Sequence, residues 1–145
     1  MIVTRPELNG TLGAVSATHW LASGAGMAVL ERGGNAFDAA VAAGFVLQVV
    51  EPNSNGPAGD VSIVLYSASA GSTRVVCGQG SMPRAATAER FRSLGLNQIP
   101  GSGLLPACVP GAFGAWLRLL AEYGTMPLSE VLEFAIGYAA AGSSG

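Results

Sequence analysis

The chain has 145 residues, enough for one domain, but only 11% of them are charged, against about 25% in an average soluble domain. A free-standing globular protein usually needs more charge to coat its surface, so either something absent from this chain covers much of it or the chain associates, and we interpret the low charge as a sign of a fragment. The net charge is −2 and the seven basic residues are scattered arginines, which excludes a basic face for nucleic acid.

The composition also argues against metals, cofactors and membranes. A single histidine, His19, cannot build a zinc-type cluster, and we expect no cofactor. The longest apolar run, Ala39–Val50, is shorter than the roughly 20 residues that cross a bilayer. The opening MIVTRPELNG lacks a signal-peptide pattern, which favours a cytoplasmic location. Cys77 and Cys108 predict either one disulfide or two buried free thiols.

The first predicted elements are a short strand at Gly13–Ala17 and a helix from His19 to Arg32. The helix ends at Gly33-Gly34, because glycine adopts the left-handed C-cap geometry without a steric penalty. Thr18 and His19 suggest a nucleophile and a base, but adjacent residues on a strand point to opposite faces. We therefore interpret them as residues that cap the helix.

The second helix is predicted at Ala36–Val50 and is apolar nearly all round, which is typical of a helix buried between layers. Asn35 is a good N-cap, and Asp38 three residues later gives an arrangement like a capping box. Pro52 stops the helix.

The middle of the chain predicts a β-hairpin made of a buried strand, Val61–Ser67, and a second strand, Thr73–Cys77, joined around Gly71. The Gly- and Pro-rich stretch Gly95–Pro110 is predicted to be irregular. Three further helices are predicted: Ala88–Leu94, Ala112–Tyr123 and Glu130–Ala141. Thr87 is the expected cap of the first and Ser129 of the last.

Polar residues collect in two loops beside predicted buried elements. The loop EPNSNGPAGD contains Asn55 and Asp60, which are either part of a site or members of a self-bonded turn. After the hairpin, Gln79 and Ser81 are placed to face a pocket, as is Arg84, which serves equally well as a surface residue. No glycine cluster has the spacing of a dinucleotide site.

Several segments, taken together and in order, resemble the N-terminal part of the γ-glutamyltransferase large subunit. They are GAVSATHWLAS, GMAVLERGGNAFDAAVAA, VVEPNSNGPAGD, MPRAAT and VPGAFGAWLRLLAEYGTMPLSEVLEFAIGYA. The resemblance implies the αββα sandwich of the N-terminal-nucleophile hydrolases. Residues 1–145 would then form a single partial domain of that α+β fold.

The resemblance also implies a precursor that cuts itself in two. The new N-terminal threonine takes the acyl group of a γ-glutamyl amide and passes it to water or to an amino acid. That threonine and the oxyanion-hole glycines belong to the later, small subunit. We therefore expect no catalytic residue in this chain and no activity from it alone. Its expected partners are the rest of the large subunit, the small catalytic subunit and a small acyl amide.

Two departures from the family pattern concern the acyl donor. The family's donor-binding arginine falls at Gln79, and its glutamate neighbour falls at Gly80. A neutral amide cannot replace the bidentate charged pair that arginine makes with a carboxylate. Pro57-Ala58-Gly59-Asp60 replaces a glycine run and resembles the acylase branch, which includes relatives acting on cephalosporin-type side chains. Gln79 and Ser81 are thus the predicted substrate-binding residues, with Asn55 and Asp60 as loop candidates.

The alternative is a non-catalytic binding or assembly module that keeps the N-terminal layer of the family. The low charge allows this alternative, because an apolar face needs a partner.

Overall fold

A computed structural model describes residues 9–142, and the predictions about residues 1–8 and 143–145 lie outside them. The described residues form helices and one antiparallel hairpin, and they divide into two compact units. The described parts of Met1–Pro52 and Leu120–Gly145 make the first unit, and Asn53–Leu119 makes the second. Its elements are α1 Trp20–Glu31, α2 Ala36–Val50, β1 Val61–Ser67, β2 Ser72–Gly78, α3 Ala88–Ser93, α4 Ala112–Tyr123, α5 Leu128–Val131 and α6 Glu133–Ala141.

Helix α1 begins and ends as the sequence predicts. His19 is its N-cap, and the His19 Nδ1 atom accepts a hydrogen bond from the Leu21 amide at 3.2 Å. Gly33, with φ of +92°, follows the last turn. The predicted strand at Gly13–Ala17 is wrong, because this segment pairs with no strand among the described residues.

Helix α2 has the predicted bounds and the predicted capping box. Asn35 Oδ1 accepts from the amides of Phe37 and Asp38, while Asp38 Oδ2 accepts from the Asn35 amide at 2.8 Å. The helix packs against α1, α5 and α6 within its unit. Its apolar buried residues form much of the core of that unit: Ala39, Val41, Ala42, Ala43, Phe45 and Val46.

The hairpin forms as predicted, with Val61 opposite Gly78 and Ser67 opposite Ser72. The prediction that the first strand, Val61–Ser67, is buried is wrong for one of its faces. Val64, Tyr66 and Val75 are 72%, 63% and 68% exposed. Alternate side chains of a strand lie on opposite faces, and among residues 9–142 only the face that carries Leu65 is covered.

The remaining predictions are confirmed up to α4 and fail after it. Thr87 caps α3, and residues 95–110 contain neither helix nor strand. The predicted helix Glu130–Ala141 is instead two helices, and Ser129 caps neither. Pro127 is the N-cap of α5 because its carbonyl accepts from the Glu130 amide, and Leu132 joins α5 to α6. Within residues 9–142, none of the helices has the length and apolarity needed to cross a bilayer.

Candidate functional site

A cavity of about 530 Å³ lies in the unit Asn53–Leu119. It is built from three separate stretches: the loop before β1, the turn after β2 and the irregular segment before α4. Asp60 and Gln79, predicted from different motifs, both line it. The lining residues are Ala58, Gly59, Asp60, Gln79, Gly80, Ala107, Cys108 and Val109.

Backbone hydrogen bonds join the three stretches. The Val109 amide donates to the Ser81 carbonyl at 2.8 Å. The Gly59 carbonyl accepts from the amides of Gly111 at 3.2 Å and Ala112 at 3.1 Å. These amides open α4, where the first N–H groups of a helix lack partners within it. The walls of the cavity are therefore held by main-chain contacts that no side-chain pattern records.

Gly80 allows two of these walls, the turn after β2 and the segment before α4, to lie in close contact. Its φ is +77°, and a Cβ added there would lie 1.8 Å from the Val109 carbonyl oxygen. Both the backbone conformation and the lack of space require glycine at this position. The resemblance assigns the family's glutamate to this same position, where the conformation and the lack of space in this chain call for glycine.

The cavity has two polar side chains, those of Asp60 and Gln79, among otherwise small or apolar lining residues, and none of the lining residues described is basic. Asp60 supplies an exposed carboxylate, which accepts hydrogen bonds. Gln79 supplies an amide, which both donates and accepts, and its Oε1 atom lies 3.6 Å from the Cys77 Sγ donor. These groups suit an amine, a hydroxyl or an amide of a ligand, and they offer no charged partner for a carboxylate.

Cys77 and Cys108 are free and exposed, so neither the predicted disulfide nor the predicted burial of the two thiols is found. The Cys108 Sγ atom lies 3.7 Å from Met82 Sδ, beside the cavity that Cys108 lines. Sequence reasoning did not identify Cys108 as a site residue, and its irregular surroundings carry no periodic signal that points to a wall.

The other predicted site residues lie elsewhere. Ser81 takes part in the cavity frame through its carbonyl, and its side chain is not in the lining. Asn55 is half-buried and Arg84 is exposed, both outside the lining. Part of the first loop is a self-bonded turn, since Asn53 Nδ2 donates to Ser54 Oγ at 3.2 Å.

A second polar cluster lies in the helical unit around Asp38, whose relative exposure is 0%. Asp38 Oδ1 accepts from the amides of Thr125 at 2.9 Å and Met126 at 3.2 Å. Asp38 Oδ2 accepts from the Asn35 amide and from Thr125 Oγ1 at 2.7 Å. Burial raises the pKa of Asp38, but these hydrogen bonds outweigh it and lower that pKa below its usual value.

The Asp38 cluster anchors the start of α2 to the turn that follows α4. Asn35 Nδ2 adds a hydrogen bond to the Tyr123 carbonyl at 2.7 Å. The sequence predicts the cap formed by Asn35 and Asp38 but not its contacts with Thr125 and Met126. The available signal was a carboxylate on an almost wholly apolar helix, which needs more partners than one cap supplies. Because donors already occupy both of its oxygens, Asp38 is a structural anchor.

Residues 22–144 match the protein-family model described as Gamma-glutamyltranspeptidase. This match covers most of the chain, and the chain therefore belongs to the gamma-glutamyltranspeptidase family. The family resemblance seen in the ordered motifs is confirmed.

Similar proteins include both glutathione hydrolase-like and acylase proenzymes. The chain is 39% identical over 131 residues to the "Glutathione hydrolase-like YwrD proenzyme" of Bacillus subtilis (strain 168), covering 90% of this chain and 25% of that protein. It is 39% identical over 144 residues to the "Acylase ACY 1 proenzyme" of Pseudomonas sp. (strain SE83), covering 92% of this chain and 25% of that protein.

The solved structure of LmbA2991T421A aligns with this chain at 59% sequence identity and a TM-score of 0.89. The alignment covers 95% of this chain and 24% of the chain in that structure. The chain thus spans about a quarter of the length of these relatives. The prediction of kinship with acylases as well as glutathione enzymes is confirmed by the relatives.

Proposed function

We propose that this chain is part of the large subunit of an enzyme that hydrolyses or transfers a γ-glutamyl or related acyl group. The proposal includes an αββα sandwich, self-cleavage, and an acyl-threonine intermediate on a threonine outside these 145 residues. Membership of a family of γ-glutamyl and acyl transfer enzymes supports it. The observation that carries it is the cavity in which Asp60 and Gln79 meet.

We further propose that the acyl donor lacks the α-carboxylate of a γ-glutamyl group. A donor carboxylate in this cavity would find the Gln79 amide in place of an arginine, with the Asp60 carboxylate beside it. A hydrogen bond to a charged group contributes about 1.5–3 kcal/mol, and its loss lowers affinity roughly 10- to 150-fold. A neutral or cationic donor head group avoids both this loss and the like-charge repulsion.

The site residues divide into two roles under this proposal. Gln79 and Asp60 contact the donor head group, since both line the cavity. Ser81 acts through its carbonyl, which holds the Val109 wall in place. Asn55 belongs to the supporting loop, because it lies outside the lining.

The exposed outer face of the hairpin, formed by Val64, Tyr66 and Val75, supports the proposed partners. An isolated domain rarely exposes neighbouring apolar side chains in this way. We propose that the remainder of the large subunit covers them. The relatives, about four times as long as this chain, supply enough additional polypeptide for that contact. A non-catalytic assembly module would cover the same face with a different protein.

The decisive experiment expresses the full-length protein that contains this chain and follows it by gel electrophoresis and intact-mass measurement. We expect cleavage into two subunits, with a threonine at the new N-terminus, and hydrolysis of an acyl anilide. The 145-residue chain alone should be inactive. A full-length protein that stays uncleaved and inactive would favour the assembly module and remove the enzymatic proposal.

A further inference from the structure

We propose that Cys108 limits the size of the acyl group that the cavity accepts. This inference rests on the proposed function and adds a specificity-determining residue to the same site. It follows from where Cys108 lies: on the third wall of the cavity, in a segment that the family motifs at Asp60 and Gln79 do not include.

The wall that carries Cys108 is held in place on one side of that residue. The next residue, Val109, donates its amide to the Ser81 carbonyl at 2.8 Å. Gly80 meets the Val109 carbonyl so closely that no Cβ fits between them. A wall fixed in this way cannot retreat readily when a larger side chain is introduced, because its main chain already touches the neighbouring segment.

The chemistry of this wall complements that of the other two. Asp60 and Gln79 are polar and orient a ligand, whereas a thiol behaves as a small apolar group with weak hydrogen bonding. Ala107 beside it and Ala58 on the first loop are also small. Small-molecule sites typically combine a few orienting polar groups with apolar walls that set the shape. The small wall leaves space for the body of the acyl group, and a larger residue at position 108 removes that space.

The test compares Cys108→Leu and Cys108→Ala in the full-length protein, with Leu104→Phe as the matched control. Leu104 belongs to the same irregular segment, is 93% exposed and is not a lining residue. Two anilides with the same leaving group and without a carboxylate on the acyl group serve as substrates: one with a 4-aminobutyryl acyl group and one with a bulky aromatic acyl group. Thermal unfolding of each variant checks that it is folded.

We expect Cys108→Leu to lower kcat/KM for the bulky donor at least about tenfold more than for the 4-aminobutyryl donor. Cys108→Ala should preserve or increase the relative activity on the bulky donor, and Leu104→Phe should leave the ratio unchanged. An equal effect on both donors, or none, would overturn the role of Cys108 while leaving the proposed function intact. A wild-type protein that cleaves neither anilide would overturn the role of Cys108, and it would overturn the proposed function as well if it also left a γ-glutamyl anilide intact.

Discussion

The two polar clusters of this chain use their carboxylates in opposite ways. Asp38 is fully buried, and internal donors bind both of its oxygens. Asp60 is exposed on a cavity whose frame is made of main-chain hydrogen bonds, so its carboxylate is not needed to hold the walls together. The contrast separates a polar residue that stabilises the fold from one that remains available to a ligand.

The largest expected effect comes from removing the buried carboxylate. Asp38→Ala leaves the buried amides of Asn35, Thr125 and Met126 without their acceptor, and each loss costs about 1–3 kcal/mol. We therefore expect urea unfolding of the full-length protein to show destabilisation of about 3 kcal/mol or more.

The matched control is Asp60→Ala, which should change the free energy of unfolding by less than about 0.5 kcal/mol and lower the activity instead. Similar losses of stability in the two variants would contradict the assignment of a structural role to Asp38 and a ligand-binding role to Asp60.

The next effect tests the cavity frame. Gly80→Ala places a Cβ against the Val109 carbonyl in a backbone conformation with φ of +77°. Strain of this kind costs about 1–3 kcal/mol, and relief of the clash must separate the two walls. We expect both a lower melting temperature and a lower kcat/KM. Gly101→Ala, where a Cβ would meet nothing within 4 Å, is the control. Full activity of Gly80→Ala would show that these walls need not touch.

The smallest expected effect is a pH dependence of the stability that the Asp38 cluster contributes. The pKa of Asp38 in the folded state lies below the ordinary value of 3.8, so the charged carboxylate stabilises the folded state above that pH. This contribution is lost as the pH falls through the lower folded-state pKa. The stability difference between wild type and Asp38→Asn should therefore be largest near neutral pH and shrink below about pH 4. Equilibrium unfolding at several pH values measures it, and a constant difference would refute the assignment.

The same comparison explains what the sequence could predict. The start of α2 follows from Asn35 and Asp38 because a capping box lies within four consecutive residues. The hydrogen bond that Asp38 accepts from Thr125 joins residues 87 positions apart, so no local sequence pattern predicts it. Residue type alone favours Ser129 as the cap of the last helix, but Pro127 is the N-cap and no side chain caps the helix.

The candidate site was predictable in part for the same reason. Gln79 and Asp60 stand out because each departs from a recognisable motif. Their meeting in one cavity depends on the Gly59 and Ser81 carbonyls, which any residue type could supply. The third wall falls within Gly95–Pro110, where no periodicity marks a buried face, so Cys108 could not be predicted.

The central claim is that Gln79 and Asp60 form a donor site without a carboxylate-binding cation. The most direct measurement is the ratio of kcat/KM for a 4-aminobutyryl anilide, which lacks only the α-carboxylate, to that for the γ-glutamyl anilide in the full-length protein, with and without Gln79→Arg. We expect the wild type to prefer the 4-aminobutyryl donor and Gln79→Arg to shift the ratio roughly 10- to 150-fold toward the γ-glutamyl donor, whose carboxylate the arginine can bind. A wild type that prefers the γ-glutamyl donor, with a ratio that Gln79→Arg leaves unchanged, would contradict the claim.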